Sequence, residues 1–278
     1  MLKNALSRLI LLLPVRLYVS LFNIIHFLRR TDLRKARVSK DGRRSDILVD
    51  ELGWVSLPHP RRLALFYRGF WSRNAILVGE YGLDLIDLNG GIMIDIGANM
   101  GELAFWAKNK NLSYIGFEPD PSAFQSLSAN LSSMGDSKAV KLKSHNIALG
   151  DRSGTIEFFI ATESADSSFI RPITKKSLKS VNVNIEILDD YIKELGGHLT
   201  LLKIEAEGAE PEIISGGDKM IRKAMWISID CGPERQGEDT AVTCLNAIIN
   251  KGFILHWCNL QRGVFLLKNT NLLHNDIF

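Results

Sequence analysis

The stretch Ile94-Asp95-Ile96-Gly97-Ala98-Asn99-Met100-Gly101 joins a short apolar run, Ile92–Ile96, to a segment of helical pattern, Leu103–Lys108. An apolar run of that length, stopped by glycine, reads as a buried parallel strand. Glycines at the turn permit a tight bend and a close approach of backbone to a ligand. About twenty residues on, a second strand-like run, Ser113–Phe117, ends in Phe117-Glu118-Pro119-Asp120. A carboxylate there can accept hydrogen bonds from both hydroxyls of a ribose. Turn and acid together predict a nucleoside-containing cofactor.

The dinucleotide fingerprint needs a glycine in the middle of its turn, where the pyrophosphate meets the backbone. Asn99 stands there, and no GK[ST] phosphate loop follows. Asp95, two residues before the first glycine, suits a cofactor with a cationic end. S-adenosylmethionine, with its sulfonium and ammonium, meets that description; alone, Asp95 also reads as a residue that caps the turn.

Outward from the turn, strands and helices alternate. Pro121–Leu131 reads as a helix capped by Asp120, with Pro at its first position. Val140–Ala148 reads as a third strand, Leu201–Ile204 as a fourth and Met225–Asp230 as a fifth. Thr155–Ile160 is β-rich. Asp189–Leu195, Pro211–Ser215 and Thr240–Asn250 have helical pattern, and Phe253–Trp257 and Val264–Leu267 read as antiparallel terminal strands. Such βαβ alternation predicts an α/β fold whose mostly parallel sheet binds ligands at the carboxyl ends of its strands. The Ser- and charge-rich tract Ala161–Lys179 is expected to be a surface loop near the acceptor.

The 278 residues allow one large domain with an appendage. Residues 1–75 carry 15 Lys/Arg against 5 Asp/Glu, while the remainder is net acidic. Residues 9–28, LILLLPVRLYVSLFNIIHFL, are apolar enough to consider as a membrane span, but Pro14, Arg16, Asn23 and His26 interrupt them. A central arginine alone costs roughly 2.5–3.5 kcal/mol on insertion. Three readings stay open: a helix lying in the interface, a signal anchor with the following basic residues on the cytoplasmic side, or a helix packed on the domain. Membrane contact is preferred, because apolar run and basic flank occur together. Residues 31–60 read as a linker or loose arm, and 61–88 as a lead-in layer of helical spacing. The expected division is therefore 1–30, 31–89 and a catalytic domain over 90–278. Three widely spaced cysteines, Cys231, Cys244 and Cys258, predict neither a disulfide framework nor a zinc site and fit a cytoplasmic location. Without an aromatic stacking set or recognition helix, nucleic acid is not the expected partner.

The pieces MIDIGANMGELAFW, YIGFEPDPSAFQSLSANL, NIALGDRSGTIEFF, VNVNIEILDDYIKEL and LLKIEAEGAEPEIISGG together resemble the FkbM family of S-adenosylmethionine-dependent methyltransferases, from about Gly91 to Leu267. The resemblance implies a class I methyltransferase (Rossmann-like) fold. Its seven-stranded, mostly parallel sheet has an antiparallel last strand, here preceded by an N-terminal helical extension. It also implies methyl transfer, usually to oxygen. On the matching positions, Asp95, Gly97, Asn99 and Gly101 would line the methionine end and Glu118 would hold the ribose. Asn146 is a candidate for the adenine edge, or else a polar turn residue. The family commonly has Asp where this chain has Glu205.

Glu205 and Glu207 follow the fourth strand, and an extended chain would point both to one side. Paired carboxylates could raise one another's pKa and supply a general base. Alternatively, these acids build the turn and the next helix N-terminus. A catalytic role for at least one is preferred. A metal is not expected, since no His or Asp completes a ligand set. The acceptor expected is a hydroxyl of a sugar, glycolipid or secondary metabolite. An NAD-dependent oxidoreductase or epimerase, or a non-catalytic nucleotide-binding protein, are the alternatives.

Overall fold

The computed structural model describes residues 13–160, 170, 179–232, 235 and 239–272. Along the chain, helix α1 (Val15–Arg29) leads into strands β1 (Leu33–Val38), β2 (Ser45–Val49) and β3 (Gly53–Leu57). A 3-10 turn, Pro60–Phe66, and helix α2 (Phe70–Glu80) connect these to β4 (Ile92–Ile96). Then follow α3 (Glu102–Asn109), β5 (Ser113–Phe117), α4 (Pro121–Met134), β6 (Leu142–His145), β7 (Ala148–Gly150), β8 (Gly154–Ile160) and β9 (Lys179–Ile187). A 3-10 segment, Leu188–Glu194, precedes β10 (Leu199–Ile204), α5 (Glu210–Gly216), α6 (Asp218–Lys223), β11 (Ala224–Asp230), α7 (Ala241–Ile249), β12 (Phe253–Asn259) and β13 (Val264–Asn269).

The main sheet has seven strands in the order β12-β13-β11-β10-β4-β5-β6. β6, β5, β4, β10 and β11 run parallel, and β13 is antiparallel to both β11 and β12. The last strand is thus the reversed one, as expected. Strand period two divides the core into two. Ile92, Ile94 and Ile96 pack with Leu202, Ile227 and Ile229 against Ile213, Ile221 and Ile248 on one face. On the other, Met93, Leu201 and Leu266 meet Leu77, Leu103 and Leu127. All five residues of β4 are buried, Asp95 included, because this strand has neighbours on both sides and helices on both faces. The chain leaves β4 toward β5 in one direction and returns at β10 on the other side. That reversal opens a crevice at the strands' carboxyl ends.

The stretch 31–60 is not a loose arm. It forms an antiparallel three-stranded sheet, β1-β2-β3, with its own core. Tyr18, Val19 and Phe22 of α1 cover Leu33, Ile47, Val49 and Val55, and Phe66, Phe70, Met100 and Phe105 complete the cluster. Composition concealed this because the outward positions are charged; β2 (Ser-Asp-Ile-Leu-Val) alternates buried and half-buried residues along its length. The layer is fastened to the main domain. Asn130 of α4 accepts from Ser56 N and donates to the carbonyls of Ser56 and Met100, and Ser122 Oγ donates to Pro58 O.

The third strand is also shorter than the expected Val140–Ala148. Its residues divide between β6 in the main sheet and β7, which joins β9 and β8 in a separate three-stranded sheet. Of the tract expected to be a surface loop, Ala161–Lys179, all but Ile170 and Lys179 lie outside the described residues, and Lys179 is the first residue of β9. Within the apolar run 9–28, α1 starts after Pro14, whose carbonyl accepts from Tyr18 N. Among the described residues, no helix is long and apolar enough to cross a membrane.

Candidate active site at the carboxyl ends of the strands

The turn after β4 is shaped by close contact with its neighbours. Gly97 has φ +72°, and a Cβ there would sit 1.9 Å from the Glu205 carbonyl oxygen. Glycine is required on both counts. The amides of Gly97 and Ala98 both donate to Phe117 O, and Glu205 N donates to Ile96 O, which wedges the turn between the ends of β5 and β10. Asn99 takes a left-handed conformation, φ 50°, which Asn tolerates better than most residues. Gly101, φ 80°, caps the start of α3.

Glu118 is buried where this turn meets the end of β5. Its Oε2 accepts from Asn99 N at 2.7 Å and its Oε1 from Asp120 N at 2.8 Å. Each oxygen keeps a lone pair for a further donor. Burial pushes the carboxyl up to about 7, although the two N–H donors and the Lys203 ammonium pull the other way. The Asn99 Oδ1 beside it is buried without a hydrogen-bond partner. A buried orphan acceptor costs free energy until a donor arrives. A carboxylate with spare lone pairs and an unpaired amide oxygen suit a ribose and an ammonium, so the residues present fit S-adenosylmethionine. Asn146, exposed after β6, donates to the carbonyls of Glu118 at 2.8 Å and Pro119 at 3.2 Å. Asp120 caps α4 through Ser122 N and Ala123 N, as its position predicted.

Asp95 is buried in β4, just before the turn. Its Oδ2 accepts from Tyr114 OH at 2.7 Å, and its Oδ1 lies 3.0 Å from Lys203 Nζ. Lys203, in the middle of the LLKIEAEG motif, had no role assigned from the sequence. Its buried ammonium also donates to the carbonyls of Ile96 at 3.1 Å and Gly97 at 3.0 Å, and lies 3.2 Å from Glu205 Oε2. Burial disfavours the charge, but Asp95 and Glu205 overrule it and raise the lysine pKa. Lys203 therefore clamps β4, the cofactor turn and the end of β10 with one charge.

Glu205 and Glu207 do not share the extended geometry on which their pairing rested. β10 ends at Ile204, and Glu207 and Gly208 turn with φ of 52° and 98°. Burial pushes Glu205 up, but Lys203, the Tyr81 hydroxyl and Arg262 outweigh it and hold the carboxyl below its ordinary range. Glu205 is thus an anion held by a network of two cations and a hydroxyl, which favours its ionised form. The turn-building role belongs to Glu210, whose Oε1 accepts from Ala206 N and Gly208 N. Glu207 is half-buried in the turn that follows β10.

Arg262, between β12 and β13, gathers the far side of the crevice. Its guanidinium reaches Glu80 at 2.6 Å, Asp230 at 3.2 Å and Glu205 at 3.5 Å. Sequence reading missed Lys203, Tyr81, Glu80 and Arg262. Only Lys203 lay in a recognised motif; Arg262 and Glu80 are 182 positions apart. Among the described residues, no group of three or more His, Cys, Asp or Glu is placed to hold a metal ion.

The sequence profile of the FkbM methyltransferase domain matches residues 95–253. The chain is 24% identical over 233 residues to the 2-O-methyltransferase NoeI of Sinorhizobium fredii, covering 76% of this chain and 93% of that protein. Solved structures with similar folds include magnesium protoporphyrin IX methyltransferase (ChlM) of Synechocystis with S-adenosylmethionine bound. It is 8% identical with a TM-score of 0.42, covering 75% of this chain and 83% of that one. A Streptococcus pneumoniae protein assigned as a tRNA methyltransferase, also with the cofactor bound, is 10% identical with a TM-score of 0.42, covering 71% and 72%.

Proposed function

Because this chain belongs to the FkbM methyltransferase family and is an S-adenosylmethionine-dependent methyltransferase, we propose that it methylates a hydroxyl oxygen on a sugar, glycolipid or secondary metabolite. The similarity to a 2-O-methyltransferase over most of that protein's length supports oxygen as the acceptor atom. The arrangement of Glu118 and Asn99 around the turn is the observation that carries the cofactor side. The family assignment displaces the dinucleotide alternative.

In this reading Glu118 holds the ribose and the Asn99 Oδ1 receives the ammonium. Gly97 and Gly101 let the backbone close on the methionine end, and Asp95 keeps that turn in shape through Lys203. Asn146 holds the edge of the adenine subsite by tying β6 to Glu118. The bound cofactor supplies an electrophilic methyl on a sulfonium. The protein's own contribution is alignment of the acceptor, where effective molarities on the order of 10⁵ M are attainable. Glu207 is the carboxylate proposed to take the acceptor proton, and Glu205 orients the site through Lys203 and Arg262. The three units 1–30, 31–89 and 90–278 are proposed to work as one body, on the cytoplasmic side and against a membrane carrying the acceptor.

Calorimetric titration with S-adenosylhomocysteine tests the cofactor side, with NAD as comparator and Glu118→Ala as control. Tight binding weakened by the substitution is expected; a preference for NAD would overturn the reading. Glu207→Gln should abolish methyl transfer to a hydroxyl acceptor while sparing S-adenosylhomocysteine binding. Undiminished turnover removes Glu207 from the chemistry.

A further inference from the structure

Helix α1 has two apolar faces, and only one of them is covered. Tyr18, Val19, Phe22 and His26 face the β1–β3 layer and are buried. On the opposite side Leu17, Ile24, Phe27 and Leu28 are exposed by 54%, 57%, 82% and 73%. Their spacing places them in one stripe along the helix. Isolated exposed apolar residues are ordinary, but a continuous stripe marks an interaction surface.

The surroundings of the stripe identify its occupant. Helix α1 contains no acidic residue, and Arg16, Arg29 and Arg30 are exposed at its two ends. At its C-terminal end Arg29 donates to Tyr67 O at 3.3 Å, and the guanidinium groups of Arg29 and Arg68 lie 5.5 and 5.3 Å from the Tyr67 ring centre. Tyr67 is itself exposed. Aliphatic and Phe side chains along a stripe, with Tyr and Arg at its margin, match the depth profile of a membrane interface. Asp32, just beyond the helix, is engaged with the amides of Phe70 and Trp71, and the exposed arginines complement anionic headgroups. The sequence before the helix, Leu9-Ile10-Leu11-Leu12-Leu13 preceded by Lys3 and Arg8, continues the same composition.

We propose that α1 is an interfacial anchor: its outer stripe lies in the headgroup boundary of an anionic bilayer while its inner face stays on the protein. The helix lies along the membrane and does not cross it, because Tyr18, Val19 and Phe22 are committed to the N-terminal core. The same geometry orients the site. The layer beneath α1 is tied through Asn130 to Met100 and through Pro58 to Ser122, beside the cofactor turn. The anchor deepens the membrane location proposed above and is independent of the methyl transfer.

The test is co-sedimentation of the full chain with phosphatidylcholine vesicles, with and without phosphatidylserine. The variant is Phe27→Asp/Leu28→Asp, which alters exposed positions only and retains residues 1–12. Binding to the serine-containing vesicles is expected, weakened roughly tenfold or more in the double variant, with melting temperature and S-adenosylhomocysteine affinity unchanged. Absence of binding by the unaltered chain overturns the proposal, as does equal binding by the variant. A dimer seen by light scattering that the variant dissolves would assign the stripe to a second copy instead. Failure to bind S-adenosylhomocysteine would count against the enzymatic reading and leave the anchor standing.

Discussion

Cofactor affinity should depend on pH through one buried carboxylate. Glu118 is raised from 4.5 to about 7 by burial. Two ribose hydroxyls are hydrogen-bond donors to it, so the ionised form is the one that binds tightly. With a pKa of about 7, roughly nine-tenths of the group is ionised at pH 8 and roughly one-tenth at pH 6. The S-adenosylhomocysteine Kd should therefore be about tenfold weaker at pH 6 than at pH 8, or about 1.4 kcal/mol. At pH 7 binding should release about half a proton, which calorimetry in buffers of different ionisation enthalpy reads directly. Glu118→Gln should abolish the pH dependence. It should also weaken binding overall, since hydrogen bonds to a charged group contribute about 1.5–3 kcal/mol each. Stability of the free protein should move the other way. Because the folded state holds its proton up to about 7 and the unfolded chain loses it near 4.5, rising pH across that window destabilises the fold. That loss of folding stability is about 3 kcal/mol at pH 8 and is borne by the free fold, since Glu118 is already mostly ionised there before the cofactor binds. A Kd flat between pH 6 and 8, with no dependence on buffer, would refute the reasoning.

Three further outcomes are expected. Lys203→Met should leave the buried Asp95 without a cation and Glu205 with Arg262 as its remaining ion-pair partner, and cost about 3–5 kcal/mol, read as a fall in melting temperature; an unchanged melting curve would mean the clamp is not structural. The depressed pKa of Glu205 stabilises the fold above its ordinary pKa, and that contribution is lost as pH falls through the folded value. Acid unfolding should accordingly be less steep in Glu205→Gln, and equal slopes would contradict the network. Asn130→Ala should cost about 1–3 kcal/mol for each buried backbone group it leaves unpaired, measured by urea unfolding. A separate early transition of the N-terminal layer would show that the layer is not part of the main cooperative unit.

Local pattern sufficed wherever one segment decided its own conformation. The run Ile92–Ile96 could only be buried on both faces, and Asp120-Pro121 marked the start of α4. Reading stopped short where burial came from distant segments. The β1–β3 layer was hidden because its outward charges masked the period of two. The single run Val140–Ala148 turned out to supply strands to two different sheets. Glu205 and Glu207 were paired on the assumption of an extended chain, which the left-handed turn at Glu207 and Gly208 removes.

The sequence by itself determined the parallel α/β alternation, the Gly97–Gly101 turn and the acid at the end of β5. Each depends on residues within a few positions of one another, so its physics is contained in a short window. Only the tertiary structure decided that Asp95 turns inward to Lys203 and Tyr114, that Glu205 is held ionised, and that Arg262 reaches Glu80. It also decided that α1 spends one apolar face on the core and keeps the other outside. Those outcomes depend on through-space charge and burial, which act between groups far apart in sequence and exist only once the chain has packed.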